Sequence, residues 1–175
     1  MKRKTKVKGF IKAKVLENID WDFLSKESKS LHPLMHTLGI TSARLEHLYE
    51  LSLGLLEKRD YDRAADAFFF LVTLNTDMSE LWLRLGNAEQ GRREYEQAIE
   101  AYYFAYLNDA DDPYPMLYSA QCYESLEEYE TGMKCLVTAR EVIQDNQDGV
   151  IDYKEIENQI EIYSQNLRAK SKKGK

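Results

Sequence analysis

Cysteine is scarce in this chain: Cys122 and Cys135 are the only two among 175 residues, too few for a disulfide framework. Long hydrophobic runs are missing as well, and none approaches the ~18 apolar residues of a membrane-spanning helix. Near the N-terminus Gly9-Phe10-Ile11 is interrupted by Lys12 and Lys14, so a secretory h-region is lacking. A reducing, cytoplasmic setting is expected. Gly-rich phosphate loops, Cys-x-x-Cys pairs and nucleophile motifs with partners are absent too. The expectation is therefore a binding protein rather than an enzyme, with no cofactor and no metal.

Charge is unevenly placed. Residues 1–14 carry seven Lys/Arg and residues 168–175 carry five, with no acid in either stretch. All thirty acids fall in residues 15–167 against twelve bases, a body charge of −18. An acidic body repels phosphate backbones, which argues against nucleic acid as the main partner. The two basic ends read as solvated, disordered tails.

A period is the strongest signal present. Tyr61, Tyr95 and Tyr129 are 34 residues apart. They open the phrases Tyr61-Asp-Arg-Ala64, Tyr95-Glu-Gln-Ala98 and Tyr129-Glu-Thr-Gly132. Phe68, Tyr102 and Leu136 follow, then Leu71, Ala105 and Ala139. Upstream stand Leu48-x-x-Leu51-Ser52, Trp82-x-x-Leu85-Gly86 and Met116-x-x-Ser119-Ala120. A 34-residue period with this pattern marks tetratricopeptide (TPR) helix pairs. The small residues have a mechanical role: Ser52, Gly86 and Ala120 face Ala64, Ala98 and Gly132 where paired helices cross closely.

The expected fold is all-α, a TPR superhelix of three helix pairs over repeats 45–78, 79–112 and 113–146. Helices are expected at about 45–58, 61–75, 79–92, 95–108, 113–126 and 129–143. Pro113 suits a first helical turn, where its missing N–H costs nothing. Glu89 replaces the aromatic usual at its place in the second repeat. Residues 150–167 read as a capping helix over the last repeat, and 168–175 as a basic tail. Residues 16–40 read as an N-terminal helical segment broken near Pro33, after a disordered tail over 1–15.

The stretch from Leu45 to Ile143 resembles the class II chaperones of bacterial type III secretion, which look after translocator proteins. The phrases that carry the resemblance are Leu45-Glu-His-Leu-Tyr49-Glu-Leu and Leu83-Arg-Leu-Gly86-Asn-Ala. Arg93-Glu-Tyr95-Glu-Gln-Ala98-Ile-Glu-Ala-Tyr102, Asp112-Pro113-Tyr-Pro115 and Ser119-Ala-Gln-Cys122-Tyr follow in order. The leader Leu38-Gly39-Ile40-Thr41 also matches the family's layout. The lysine-rich N-terminus departs from it. The resemblance implies a cytoplasmic chaperone that takes an extended segment of a hydrophobic translocator into a concave groove. It further implies homodimers when client-free, through N-terminal helices, and a secretion gatekeeper as a second possible partner.

In a TPR pair the first helix lines the concave face. Its inward positions are Glu46, Tyr49, Leu53 and Leu56 in the first repeat. They are Glu80, Leu83, Asn87 and Gln90 in the second, and Tyr114, Leu117, Gln121 and Glu124 in the third. The first repeat thus offers an apolar strip and the later ones amides and acids, a surface suited to an extended peptide with apolar anchors. Tyr49 and Leu53 are the expected anchors, and by family position Tyr61 and Leu74 border the pocket. The competing reading is that several of these residues pack against neighbouring helices.

Other constellations are weaker. Gln144 to Glu155 reads like a calcium loop, with Asn146, Asp148, Asp152 and Glu155 at ligand positions. Gln144 stands where the first carboxylate should be, so an inter-helix turn is the better reading. His32 and His36 flank Pro33 with no third ligand in view, and His47 reads as a surface histidine. The cysteines read as small apolar groups on facing helices. A TPR adaptor for a C-terminal carboxylate would need Lys, Arg and Asn in the groove, where Tyr49 and Leu53 stand. A generic TPR scaffold is the remaining alternative.

Overall fold

The structure is a computed structural model that describes residues 39–146 and 153–173. The chain divides into two compact units, Met1–Glu50 and Leu51–Lys175. Among the described residues there are seven α-helices: α1 Ser42–Glu57, α2 Tyr61–Leu74, α3 Ser79–Arg92, α4 Tyr95–Asn108, α5 Tyr114–Ser125, α6 Tyr129–Asp145 and α7 Lys154–Lys173. None is long and apolar enough to cross a membrane. The N-terminal segment 16–38, His32, His36 and residues 147–152 of the 144–155 loop lie outside the described residues.

In the first unit, α1 starts three residues before the expected position 45. Thr41 supplies the reason, because its carbonyl accepts the N–H groups of Arg44 and Leu45, and its hydroxyl also accepts from Arg44. Capping of this kind satisfies N–H groups that have no partner within the helix. Gly39 turns the chain just ahead with a positive φ of 62°, and its carbonyl accepts a hydrogen bond from the Arg44 guanidinium.

In the second unit each helix from α2 to α7 packs on its neighbours in the chain. The expected crossings are all closed: Ser52, Gly86, Ala120, Ala64, Ala98 and Gly132 are buried. Gly86 is indispensable there, since a Cβ on it would lie 2.4 Å from the Tyr102 ring. Gly91 plays the same part beside α2, where a Cβ would meet the Tyr61 ring at 2.3 Å. The large residues at the eighth position of each second helix, Phe68, Tyr102 and Leu136, are buried to 1% exposure or less.

Three tight turns repeat at the same 34-residue spacing as the sequence phrases. Arg59, Arg93 and Glu127 all have left-handed backbone, with φ of 60°, 68° and 62°. The next residue in each case bonds five residues back: Asp60 to Leu55, Glu94 to Glu89 and Glu128 to Tyr123, at 2.9, 3.0 and 2.9 Å. These are Schellman-type helix ends built without glycine. The linkers between repeats are pinned by amides. Asn108 Nδ2 donates to the Thr76 carbonyl and Asn146 Nδ2 to the Asp111 carbonyl, both at 3.0 Å.

The last helix differs from expectation in its limits. It runs to Lys173 instead of ending at 167, so most of the basic tail is helical. Good helix formers continue to its end, and cations there complement the helix dipole. Lys170 Nζ also bonds Glu124 at 2.9 Å, and Arg140 of α6 pairs with Glu161 at 3.1 Å. Ile156, Ile160, Ser164 and Leu167 are buried at helical spacing, whereas Ile162 faces outward.

Candidate peptide-binding groove

The sequence-predicted groove residues fall into two classes. Leu53, Leu56, Tyr61, Glu80, Asn87, Gln90, Gln121 and Glu124 are half-buried, and Tyr114 is exposed. Leu74, Leu83 and Leu117 are buried. In the first unit Glu46 is exposed and Tyr49 is wholly buried. Of the two expected anchors, only Leu53 therefore shows surface.

The buried leucines have identifiable surroundings. Leu83 packs in a cluster with Ala98, Tyr102, Ala105 and Cys122. Leu117 belongs to the core that joins α5, α6 and α7, with Ala120, Leu136, Ile143 and Ile160. The inward position of the third repeat is thus covered by the capping helix. Tyr61 lies with its ring against Gly91 of α3.

The acids of the second and third groove rows are both neutralised by bases. Glu80 pairs with Arg84 one turn on at 2.6 Å, both side chains about one quarter exposed. Glu124 accepts from Lys170 of α7. The groove of the second and third repeats therefore carries less net charge than its sequence suggests. Nearby, Glu89 keeps a carboxyl in a partly apolar place, where burial raises its pKa and Arg92 at 3.5 Å counters the shift.

A polar row connects three helices on this side. Tyr102 of α4 passes its ring across Gly86 and places its hydroxyl 2.9 Å from Asn87 Oδ1 and 2.7 Å from Gln90 Oε1 of α3. Gln90 Nε2 in turn donates to Gln121 Oε1 of α5 at 3.1 Å. Burial raises the Tyr102 pKa strongly, so the phenol keeps its proton. Tyr118 and Tyr114 extend the aromatic side of this row, with ring centroids 5.7 Å from Tyr102 and from each other in turn. Burial pushes Tyr118 up to about 12. Sequence reasoning placed the three amides in the groove but missed Tyr102, which belongs to the second helix of its pair. The signal available was Gly86 opposite an aromatic, a pairing that no other repeat has.

At the entrance to α5, Asp112 Oδ1 accepts the Tyr114 N–H at 2.9 Å. Burial nonetheless pushes its pKa up to about 6, the bond to Tyr114 opposing the shift. Cys122 and Cys135 are pushed up to about 12 and about 11 by burial, which leaves inert thiols. Among the described residues no group of three His, Cys, Asp or Glu could hold a metal ion. The described part of the calcium-like loop is otherwise engaged, with Gln144 and Asp145 in α6 and Asn146 bonded to Asp111. His47 is exposed.

No established family profile and no curated protein matches the chain. Solved structures do. One is the Yersinia enterocolitica type III secretion chaperone SycD in complex with a peptide of the translocator YopD. It is 26% identical, with a TM-score of 0.67 over 75% of this chain and 98% of that one. The same chaperone in an alternative dimer matches with a TM-score of 0.68 at 26% identity, covering 75% and 97%. The CopN–Scc3 complex contains a chain 28% identical, with a TM-score of 0.64 over 72% of each chain. In its fold, this chain is similar to these type III secretion chaperones over about three quarters of its length.

Proposed function

We propose that this protein is a type III secretion chaperone of the bacterial cytoplasm that holds an extended segment of a hydrophobic translocator against α1, α3 and α5. It keeps the client soluble and competent for secretion, and no chemical step on the client is part of the role. The observation that carries this reading is the match, over almost the whole of SycD, to a chaperone holding a translocator peptide. The half-buried Leu53 and Leu56 supply apolar contact, and Asn87, Gln90 and Gln121 supply amides for a peptide backbone. Leu83 and Leu117 act from beneath, as packing that shapes the surface. Similarity to the SycD dimer favours self-association of the client-free chain. Similarity to the CopN–Scc3 complex favours a gatekeeper as a second partner.

The direct test is to purify the tagged protein from its native cell and identify what accompanies it by mass spectrometry. A stoichiometric partner with long apolar helices, soluble only in the complex, is the expected result. Recovery of soluble assembly proteins alone would reduce the role to a TPR scaffold. With the partner in hand, the double variant Leu53→Ala/Leu56→Ala is expected to weaken capture about 10-fold, with little change in helical content. Undiminished capture by a folded double variant removes the leucines from the site.

A further inference from the structure

Tyr102 Oη has two amide partners but only one hydrogen to donate. Asn87 lies 2.9 Å from it and Gln90 2.7 Å, and both cannot receive the same proton. One of the two amides must therefore present its NH₂ to the phenol oxygen, which differs from presenting its oxygen by a half-turn of the amide group. The proton's choice then propagates along the row.

Two arrangements satisfy every contact. In one, Tyr102 donates to Gln90 Oε1, and Gln90 Nε2 donates to Gln121 Oε1. Gln121 is left with its NH₂ as a donor, while Asn87 donates to Tyr102 and keeps its carbonyl as an acceptor. In the other, Tyr102 donates to Asn87 Oδ1, whose NH₂ becomes the outward donor. Gln90 then donates to Tyr102 and accepts from Gln121, whose carbonyl becomes the outward acceptor. Either way the two ends of the row offer one donor and one acceptor, with the order reversed.

We propose that Asn87, Gln90 and Gln121, aligned by the Tyr102 hydroxyl, form a subsite for the backbone N–H and C=O of one residue of an extended chain, and that this subsite accepts the chain in either direction. In an extended chain the N–H and C=O of one residue point to the same side, and this pair is the complement of the row's two ends. All four side chains are uncharged, so binding here is insensitive to salt. Asn87, Gln90 and Gln121 are half-buried, which leaves their outer atoms reachable while the buried Tyr102 fixes the inner ones. Tyr102 is a positioning residue, since it acts on the client through the amides. The inference rests on the groove reading above and adds to it a source of affinity that does not depend on client side chains.

The test uses the full chain, ¹⁵N-labelled, with acetyl-tetraglycine-amide as the probe. Acetyl-tetrasarcosine-amide, which lacks backbone N–H groups, is the control. Tetraglycine is expected to shift the side-chain NH₂ resonances of Asn87 and Gln121, and tetrasarcosine to leave them in place. Tyr102→Phe keeps the ring and removes the proton, and Gln121→Ala removes one end of the row without touching the core. Each is expected to weaken tetraglycine binding about 5-fold, the loss of one ordinary hydrogen bond. Equal shifts from both probes, no shift up to the solubility limit of tetraglycine, or unchanged binding by Gln121→Ala would each overturn the proposal. Because tetraglycine has no apolar side chain, the outcome is separate from client capture. A chain that binds it yet captures no translocator keeps the subsite and loses the chaperone reading, and the opposite result loses only the subsite.

Discussion

The second and third repeats solve the same crossing with different residues. In the second, Gly86 lets the Tyr102 ring pass so closely that a single methyl would lie 2.4 Å from it. In the third, Ala120 and Leu136 occupy the matching places, and both are buried in an apolar cluster. The aromatic solution delivers a hydroxyl through the helix layer to Asn87 and Gln90. The aliphatic solution delivers nothing polar, and its groove-side Leu117 is sealed beneath the capping helix. A repeat with glycine at the crossing can thus use the second helix of the pair to shape the groove, whereas one with alanine uses it for packing alone.

Exchanging the crossings breaks the comparison most sharply. Gly86→Ala is expected to destabilise the protein by about 3 kcal/mol, because the Tyr102 ring is hemmed in and must be displaced bodily. The reciprocal Ala120→Gly should cost only about 1 kcal/mol, the usual penalty for glycine inside a helix. Adding Tyr102→Leu to Gly86→Ala copies the third repeat's solution into the second. The double variant should recover much of the loss, a non-additivity expected of residues in contact. Thermal and urea unfolding of the wild type, Gly86→Ala, Tyr102→Leu, their double variant and Ala120→Gly read all of these effects, and additive losses would show that the pair is not coupled.

The repeat entrances differ in a way that pH exposes. Ahead of the third stands Asp112, a half-buried carboxylate, where the second has Met78. Asp112 has a pKa near 6 when folded against an ordinary value of 3.8. Between those values the folded chain binds more protons than the unfolded one, so this residue makes stability fall as pH rises from about 4 to about 6. Above that range the full cost of the buried charge remains. Asp112→Asn keeps an oxygen for the Tyr114 N–H and removes the charge. It is expected to raise stability at pH 7 by on the order of 2 kcal/mol and to change it little below pH 4. A gain of equal size at both pH values would mean that the charge is not its cause.

The smallest effect concerns the left-handed turns, which are alike in all three repeats. Arg93→Gly relieves the side-chain strain of a positive φ but enlarges the freedom of the unfolded chain. The net gain expected is about 0.5 kcal/mol in urea unfolding. A loss would show that the Arg93 side chain contributes more than its backbone strain costs.

Much of this architecture was legible in the residues. The limits of α3 and α4 match those read from the period, and the six small residues all lie buried, because steric demand at a close crossing leaves a direct trace in residue size. The turns at Arg59, Arg93 and Glu127 left no such trace, since glycine, the usual mark of left-handed backbone, is absent there. The groove was legible only as a set of positions. Periodicity identifies which face a side chain occupies, but not what lies over that face. Leu117 was therefore read as a surface residue although α7 covers it. The amide row was half visible: Asn87, Gln90 and Gln121 were placed by spacing, but Tyr102 reaches them across a helix boundary that one-helix periodicity does not cross. The C-terminal limit of α7 was misjudged because a run of lysines reads as a solvated tail, while here one of them, Lys170, meets Glu124.

The neighbour-to-neighbour packing of α2 through α7 has a consequence for how the protein comes into being. Contacts between helices adjacent in the chain close short loops, and short loops form quickly. During synthesis, a helix pair can settle as soon as it clears the ribosome, long before α7 exists. The last pair is the exception, since Leu117, Leu136 and Ile143 wait for Ile156, Ile160 and Leu167 to arrive. Hydrogen exchange on chains stalled before α7 should therefore find α3 and α4 protected while α5 and α6 still open.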